Sequence, residues 1–174
     1  SCDMVDKYVK HRKYDISVFS KKAKYDRHYI RIGLSMNGKP EIILLGEHTN
    51  AVYYGLASLE QILEQACNHE SEKASLKALE INDYADMQYR GIVEGYYGYP
   101  YSFDVKKDLI SFFKRFKLNT YLYGAKSDPF HSGFWREPYP VEITALQEKN
   151  GWLSQRMIKE LAKVSIESKV NFIW

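Results

Sequence analysis

Polar and apolar residues alternate along residues 29–36, whose sequence is YIRIGLSM. The apolar positions of this stretch are Ile30, Ile32, Leu34 and Met36. A period of two predicts a half-buried β-strand. Asn37-Gly38 follows directly, and this dipeptide is the strongest short indication of a hairpin. We therefore predict a hairpin in which residues 41–45 form the second strand.

Apolar residues at helical spacing follow the hairpin. Asn50 is predicted to cap this helix, and His48 is predicted to cap it or to pack near its start. Its apolar face consists of Val52, Leu56, Leu59, Ile62, Leu63 and Ala66. Residues 68–78 are polar and are predicted to be a connection. We expect residues 1–85 to form a small, incomplete α+β domain whose sheet is packed by this helix.

The pattern changes near Tyr89, where strands and helices begin to alternate. Strands are predicted at residues 89–94, 119–124 and 170–174. Ser102 is the predicted N-cap of a helix that ends near Lys117, and its apolar stripe consists of Leu109, Ile110, Phe112, Phe113 and Phe116. A second helix, residues 153–168, has an inner face of Leu153, Met157, Ile158, Leu161 and Val164. The order β-α-β-α-β implies parallel strands joined by crossover helices, in an α/β domain.

Composition excludes several classes of function. The 174 residues include 25 basic and 22 acidic ones, and a net charge of +3 is too small to indicate nucleic-acid binding. Cys2 and Cys67 cannot make a disulfide framework or a zinc site. No apolar run approaches the ~20 residues of a membrane span. The residues given contain no signal-peptide pattern, and we expect both ends of the chain to lie inside a longer protein.

The sequence is unusually rich in tyrosine, with 15 residues. A tyrosine offers a flat apolar face and a polar tip, which suits sugar rings and protein interfaces. An AT-rich genome would raise the tyrosine content as well. Four tyrosines cluster in residues 90–102, RGIVEGYYGYPYS, directly after a predicted strand.

Ligands of parallel α/β folds bind at the carboxyl ends of the strands. The tyrosine-rich loop and the long loop of residues 125–150 follow neighbouring predicted strands, so both lie on that face. Gly95 and Gly98 would let the backbone approach a ligand closely. Tyr97 is predicted either to contact a ligand or to pack within its loop.

Several residues on this face could take part in chemistry, and each has a structural alternative. Lys126 could bind ligand hydroxyls, lie at the surface, or pair with Asp128. Glu94 could be catalytic or could anchor its loop through backbone N–H groups, and Asp128 precedes Pro129, which favours a turn. Glu94 and Asp128 are the only acidic pair on this face, and glycosidases usually need two carboxylates. His131, with Trp135 and Arg136, is predicted to shape the long loop, and no metal site is expected.

Three motifs, YRGIVEGYYGYPYS, LNTYLYGAKSDPFH and FWREPYP, resemble glycoside hydrolase family 84. This family contains β-N-acetylglucosaminidases, among them the O-GlcNAcases and some clostridial hyaluronidases. The resemblance extends from about Tyr89 to Trp174. Upstream, VYYGLASLEQIL and INDYADMQYRG look like the second half of the family's small α/β domain. The resemblance implies that residues 86–174 are the first three strands of a truncated (β/α)₈ TIM-type barrel.

The resemblance also implies a mechanism and a set of binding residues. In the family, the 2-acetamido group of the substrate is the nucleophile, and an Asp-Asp pair after the fourth strand assists it. This chain contains no Asp-Asp, so it holds no expected catalytic residue, and Glu94 and Asp128 are withdrawn as an acid/base pair. Gly95 and Lys126 match family residues that contact sugar hydroxyls, and Tyr97 matches an aromatic residue of the pocket wall. The chain departs from the common pattern at Tyr96, Tyr101 and Ser127, where the family has Phe, Trp and Asp.

We therefore expect part of a retaining exo-β-N-acetylglucosaminidase that acts on GlcNAc-bearing glycans or glycoproteins. It would need no cofactor and would bind no nucleic acid. A bacterial member would be secreted or lie at the cell surface. Two alternatives are a degenerate relative that binds GlcNAc without cleaving it, and an interaction domain in residues 1–85. By itself the chain is expected to be inactive, and poorly folded beyond about residue 85, because its strand edges are unpaired.

Overall fold

A computed structural model describes residues 24–67, 76–95, 98–133 and 138–174. The chain divides into two compact units, Ser1–Gln88 and Tyr89–Trp174. Within the described residues, no helix has the length and apolar character needed to cross a membrane.

The first unit contains an antiparallel sheet with the strand order β2-β1-β3. Its elements are β1 (Tyr25–Leu34), β2 (Pro40–Gly46), α1 (Thr49–Ala66) and β3 (Leu79–Ala85). The predicted hairpin is confirmed, since β1 pairs with β2 from His28 opposite Gly46 to Leu34 opposite Pro40. Gly38 has a φ of 73° in the turn, a backbone conformation that glycine adopts without strain.

The alternating pattern overestimates the length of the buried strand. Ile30 and Ile32 are buried, as predicted, whereas Leu34 and Met36 are 61% and 90% exposed. The prediction is wrong for these two residues because β1 ends at Leu34 and the chain then turns. A Gly38 N–H to Ser35 carbonyl hydrogen bond of 2.9 Å closes that turn.

Helix α1 begins earlier than predicted and buries a different face. His48 is the N-cap, because its Nδ1 accepts a hydrogen bond of 3.3 Å from the backbone N–H of Ala51. Asn50 instead lies in the first turn, so its predicted capping role is wrong. The buried residues are Ala51, Tyr54, Gly55 and Ala57, and the predicted face residue Leu56 is 43% exposed.

The close approach of α1 to the sheet explains this choice of face. A Cβ atom added at Gly55 would lie 3.0 Å from Cδ1 of Leu44 and 3.3 Å from Cδ2 of His28. Gly55 therefore packs against the sheet where a larger residue would crowd Leu44 and His28. Strand β3, which pairs antiparallel with β1, was not predicted. Most of the predicted 68–78 connection lies outside the described residues.

The second unit has a parallel sheet with the strand order β4-β5-β6, as the β-α-β-α-β pattern predicts. Its strands are β4 (Gly91–Glu94), β5 (Thr120–Tyr123) and β6 (Asn171–Ile173). Its helices are α2 (Phe103–Phe112), α3 (Pro129–Ser132), α4 (Ala145–Lys149) and α5 (Gln155–Glu167). A 3₁₀ turn, Phe113–Phe116, continues α2 and ends at Lys117, as predicted. The unit is therefore of the α/β class.

The strand pleat separates two faces of this sheet. Glu94, Tyr121 and Tyr123 are buried, whereas Val93 and Ile173, which point to the other face, are 52% and 44% exposed. The core contains Ile110, Phe113, Tyr121, Tyr123, Ala125, Leu153, Met157, Ile158, Leu161 and Val170. The alternation therefore directs the Glu94 side chain into the buried core.

Both long helices of this unit begin at serine caps. Ser102 accepts a hydrogen bond from the backbone N–H of Val105, which confirms the predicted cap, and Ser154 accepts one from Met157. The predicted inner face of α5 is confirmed at Met157, Ile158 and Leu161. The stripe predicted for α2 is wrong at Phe112 and Phe116, which are more than half exposed.

Candidate functional site

Two loops meet at the carboxyl ends of β4 and β5. Because these strands are parallel, both loops leave the same edge of the sheet. The hydroxyl of Ser127, in the second loop, donates a hydrogen bond of 2.8 Å to the carbonyl of Gly98, in the first. Ser127 stands where the family pattern has Asp, and an ionised carboxylate could not donate to that carbonyl. The serine therefore replaces a charge with a direct link between the two loops.

The predicted sugar-binding residues Gly95 and Lys126 are exposed at this edge. Gly95 directly follows β4, and Lys126 follows β5 after Gly124 and Ala125. The carbonyl of Lys126 accepts a hydrogen bond of 2.7 Å from the hydroxyl of Ser132, which holds its backbone against the turn of α3. Tyr97, Trp135 and Arg136 lie outside the described residues, so their roles stay predictions.

Glu94 anchors the loop that follows β4. Its carboxylate accepts a hydrogen bond of 2.6 Å from the backbone N–H of Tyr101, at the far end of that loop, and another from the hydroxyl of Tyr121. The side chain is only 2% exposed. These contacts support the anchoring role and not the catalytic one, because the buried carboxylate is fully engaged with Tyr101, Tyr121 and Lys106.

Lys106 is the residue of this region that the sequence analysis missed. It lies in the first turns of α2 and is fully buried, with its ammonium 3.2 Å from the Glu94 carboxylate. Burial lowers the pKa of this ammonium below its usual 10.5, although the Glu94 carboxylate acts to raise it. Lys106, Ile110 and Phe113 recur at the helical spacing i, i+4, i+7, and this spacing was the available indication that Lys106 lies on the buried face.

Asp128 is a second buried carboxylate with a structural role. It caps α3 by accepting a hydrogen bond of 2.9 Å from the backbone N–H of Phe130, which confirms the predicted turn role. It also accepts hydrogen bonds from the hydroxyl of Tyr123 at 2.7 Å and from the backbone N–H of Leu153 at 3.4 Å. Asp128 thus joins β5 to the segment that precedes α5.

The two carboxylates keep their tyrosine partners protonated. Burial raises the pKa of Tyr121 and of Tyr123 above the usual 10, and the neighbouring Glu94 and Asp128 raise it further. The ring of His131 contacts the ring of Tyr123 edge-on, with centroids 5.4 Å apart. No three His, Cys, Asp or Glu side chains in the described part of the chain are placed to hold a metal ion.

The edge therefore combines a buried polar framework with exposed groups that suit hydroxyl ligands. Carbonyl oxygens such as that of Gly95 accept hydrogen bonds, and the Lys126 ammonium can donate up to three. Residues 90–174, which contain this whole edge, match the family model described as beta-N-acetylglucosaminidase. The chain is also 48% identical over 52 residues to Protein O-GlcNAcase of Rattus norvegicus and of Mus musculus.

Residues 90–174 belong to glycoside hydrolase family 84.

Solved structures show the same relationship over more of the chain. CpGH84D matches 98% of the chain with 38% identity and a TM-score of 0.73. CpGH84B matches 88% with 27% identity and a TM-score of 0.59. The chain covers 25% and 23% of these two family 84 proteins, and 6% of the rat and mouse relatives. It therefore corresponds to a limited part of each relative.

Proposed function

We propose that the protein containing this chain is a retaining, substrate-assisted exo-β-N-acetylglucosaminidase that removes terminal or O-linked GlcNAc. The observation that carries this proposal is the family match of residues 90–174, which spans the sheet edge with Gly95 and Lys126 exposed. These two residues and Tyr97 would bind the sugar. The catalytic Asp-Asp pair would lie in the part of the protein beyond this chain.

The exposed face of the parallel sheet supports a larger barrel. Val93, Leu122 and Ile173 are paired in register across the three strands, and Val93 and Ile173 are half exposed. In a TIM barrel such a row faces the packed interior. We therefore propose that β4, β5 and β6 are the first three strands of a (β/α)₈ barrel, and that residues 1–85 belong to the small domain preceding it.

The proposed reaction needs no nucleophile from this chain. The 2-acetamido carbonyl oxygen would form a bond to the anomeric carbon and close an oxazolinium ring, whose N–H would be held by one Asp. At the same time the glycosidic bond would break and the leaving oxygen would take a proton from the other Asp. Water would then open the oxazolinium ring, and the second Asp would accept a proton from that water. The residues at the edge of β4 and β5 would hold the sugar hydroxyls in place during both steps.

Turnover of an aryl β-N-acetylglucosaminide by the intact protein tests this proposal. We expect hydrolysis that is inhibited by an oxazoline mimic, and no hydrolysis of the matching aryl β-glucoside, which lacks the acetamido nucleophile. Equal hydrolysis of both glycosides would exclude the substrate-assisted mechanism. Binding of the oxazoline mimic without turnover would instead identify a degenerate glycan-binding relative.

A further inference from the structure

The loop after β4 is closed at its base by one side chain. It leaves the strand at Glu94, and the Glu94 carboxylate accepts the 2.6 Å hydrogen bond from Tyr101 N–H at the other end of the loop. The intervening residues 95–100 include Gly95, the predicted sugar contact. The positions of Gly95 and of residues 98–100 therefore depend on a hydrogen bond between Glu94 and Tyr101, which flank them.

Lys106 fixes the same point from the helix side. Its ammonium donates hydrogen bonds to the carbonyl of Tyr101 and, at 3.1 Å, to the carbonyl of Gly151. Both backbone polar groups of Tyr101 are thus held by the Glu94–Lys106 pair. Gly151 has a φ of 77°, and a Cβ at this position would overlap the carbonyl oxygen of Pro100, so the segment before α5 packs directly on the loop.

The burial of this pair makes it sensitive to the loss of one partner. Both side chains are at most 2% exposed, and their charges are satisfied by each other, by the two carbonyls and by the Tyr121 hydroxyl. Removal of one charge leaves the other buried without compensation, whereas removal of both can be tolerated. Loss of one partner is therefore expected to destabilise the protein, whereas loss of both partners tests the loop contacts with a smaller effect on stability.

We propose that Glu94 and Lys106 are positioning residues that hold Gly95 and residues 98–101 in their sugar-binding geometry. This inference rests on the proposed function. The pair lies beneath the loop and acts through Gly95 and its neighbours, without touching the substrate. It is expected to affect substrate binding more than the chemical step, because the hydroxyl contacts of this loop are remote from the bonds that break.

The test uses the intact protein with Lys106→Met, and with Lys107→Met as the matched control. Lys107 is adjacent in sequence but forms surface ion pairs with Asp104 and Glu160. For Lys106→Met we expect KM for an aryl β-N-acetylglucosaminide to rise about tenfold, equivalent to ~1.4 kcal/mol of binding, with a smaller change in kcat. Amide hydrogen exchange in residues 95–101 should accelerate. Lys107→Met should leave both quantities at the wild-type values.

Two further variants separate the loss of the Lys106 contacts from a failure of the protein to fold. Lys106→Arg should recover part of the affinity, because a cation remains at this position. If Lys106→Met does not fold, the double variant Glu94→Leu with Lys106→Met removes both buried charges, and it should fold but still show the raised KM and faster exchange. Unchanged KM and exchange in that double variant would overturn the inference.

The exchange measurement separates this inference from the proposed function. If the wild-type protein neither cleaves nor binds GlcNAc compounds, the proposed function fails, and with it the sugar-positioning role. Faster amide hydrogen exchange in Lys106→Met would then show that Lys106 anchors the loop, but not that it positions a sugar. The wild-type protein could instead be active while Lys106→Met shows faster exchange and an unchanged KM. That result would support the proposed function and reject the positioning role.

Discussion

Tyr121 and Tyr123 occupy the same face of β5, and each donates its hydroxyl hydrogen to a different buried carboxylate. Tyr139 is also a tyrosine of the second unit, but its buried hydroxyl has no hydrogen-bond partner within the described residues. The same residue type therefore has a polar structural role at two positions and an apolar packing role at the third.

Replacement by phenylalanine should distinguish these roles. Tyr121→Phe leaves the buried Glu94 carboxylate without one donor and should lower the free energy of unfolding by about 1–3 kcal/mol. Tyr139→Phe removes an unpaired hydroxyl and should be neutral or stabilising. Urea unfolding of the intact protein, followed by circular dichroism, gives both values. Equal destabilisation by the two variants would contradict this account of the site.

The buried tyrosines also predict a loss of stability in alkali. Their pKa values are raised above 10 in the folded protein, so above about pH 10 the folded state binds more protons than the unfolded state. Stability should fall there by up to about 1.4 kcal/mol per pH unit for each such tyrosine. Lys106 changes stability in the opposite direction. Its pKa is lowered in the folded protein, so stability rises with pH until about pH 10.5, where the lysine of the unfolded chain also loses its proton.

The pH dependence can be measured as the urea midpoint of the intact protein on either side of pH 10. The wild-type midpoint should decrease as the pH increases, and Tyr123→Phe should decrease less steeply because it lacks one of these protons. A wild-type midpoint that does not change above pH 10 would show that Tyr121 and Tyr123 are not buried as described.

Among the elements, the close pairing of β4 with β5 depends on a glycine. A Cβ at Gly91 would overlap the carbonyl oxygen of Thr120, which belongs to the rigid backbone of the neighbouring strand. A Cβ at Gly124 would instead lie 3.3 Å from Cδ2 of Leu122, a side-chain atom that can move. The two glycines have different steric requirements, although Gly91 begins β4 and Gly124 directly follows β5.

Gly91→Ala should therefore be much more destabilising than Gly124→Ala. We expect about 3 kcal/mol or more for Gly91→Ala, at the upper end of the range for overpacking, and less than about 1 kcal/mol for Gly124→Ala. The rate of limited proteolysis of the intact protein compares the two variants with wild type. Similar proteolysis of both would contradict the strand register given for β4 and β5.

The elements with a clear period were the most predictable from sequence. The parallel strands, the serine cap of α2 and the inner face of α5 follow from local patterns. The buried face of α1 does not, because it is set by how closely the helix approaches Leu44 and His28. Local periodicity contains no information on that distance, so the burial of Ala51, Tyr54, Gly55 and Ala57 was not predicted.

The site was predictable to a similar extent. The exposed positions of Gly95 and Lys126 follow from strand ends and motifs. The hydrogen bond between Glu94 and Tyr101 and the contact of Lys106 with Gly151 join residues distant in sequence. No periodicity specifies such partners, and a lysine is almost never fully buried without a partner, so Lys106 was not predicted to be buried.

At the scale of the whole molecule, the chain covers a quarter of CpGH84D, and its parallel sheet has an exposed apolar row at Val93 and Ile173. We propose that the loop edge of that sheet binds the sugar and that the catalytic carboxylates lie outside this chain. Lys126 is the charged residue of this edge that we propose to bind the sugar hydroxyls.

The most direct test is kcat/KM of the intact protein for an aryl β-N-acetylglucosaminide after Lys126→Met. Loss of hydrogen bonds from a charged donor is worth about 1.5–3 kcal/mol, so kcat/KM should fall roughly 10- to 100-fold. Lys163→Met, at an exposed position of α5, is the matched control and should retain the wild-type value. Wild-type kcat/KM in Lys126→Met would contradict the claim that this edge of the sheet binds the sugar.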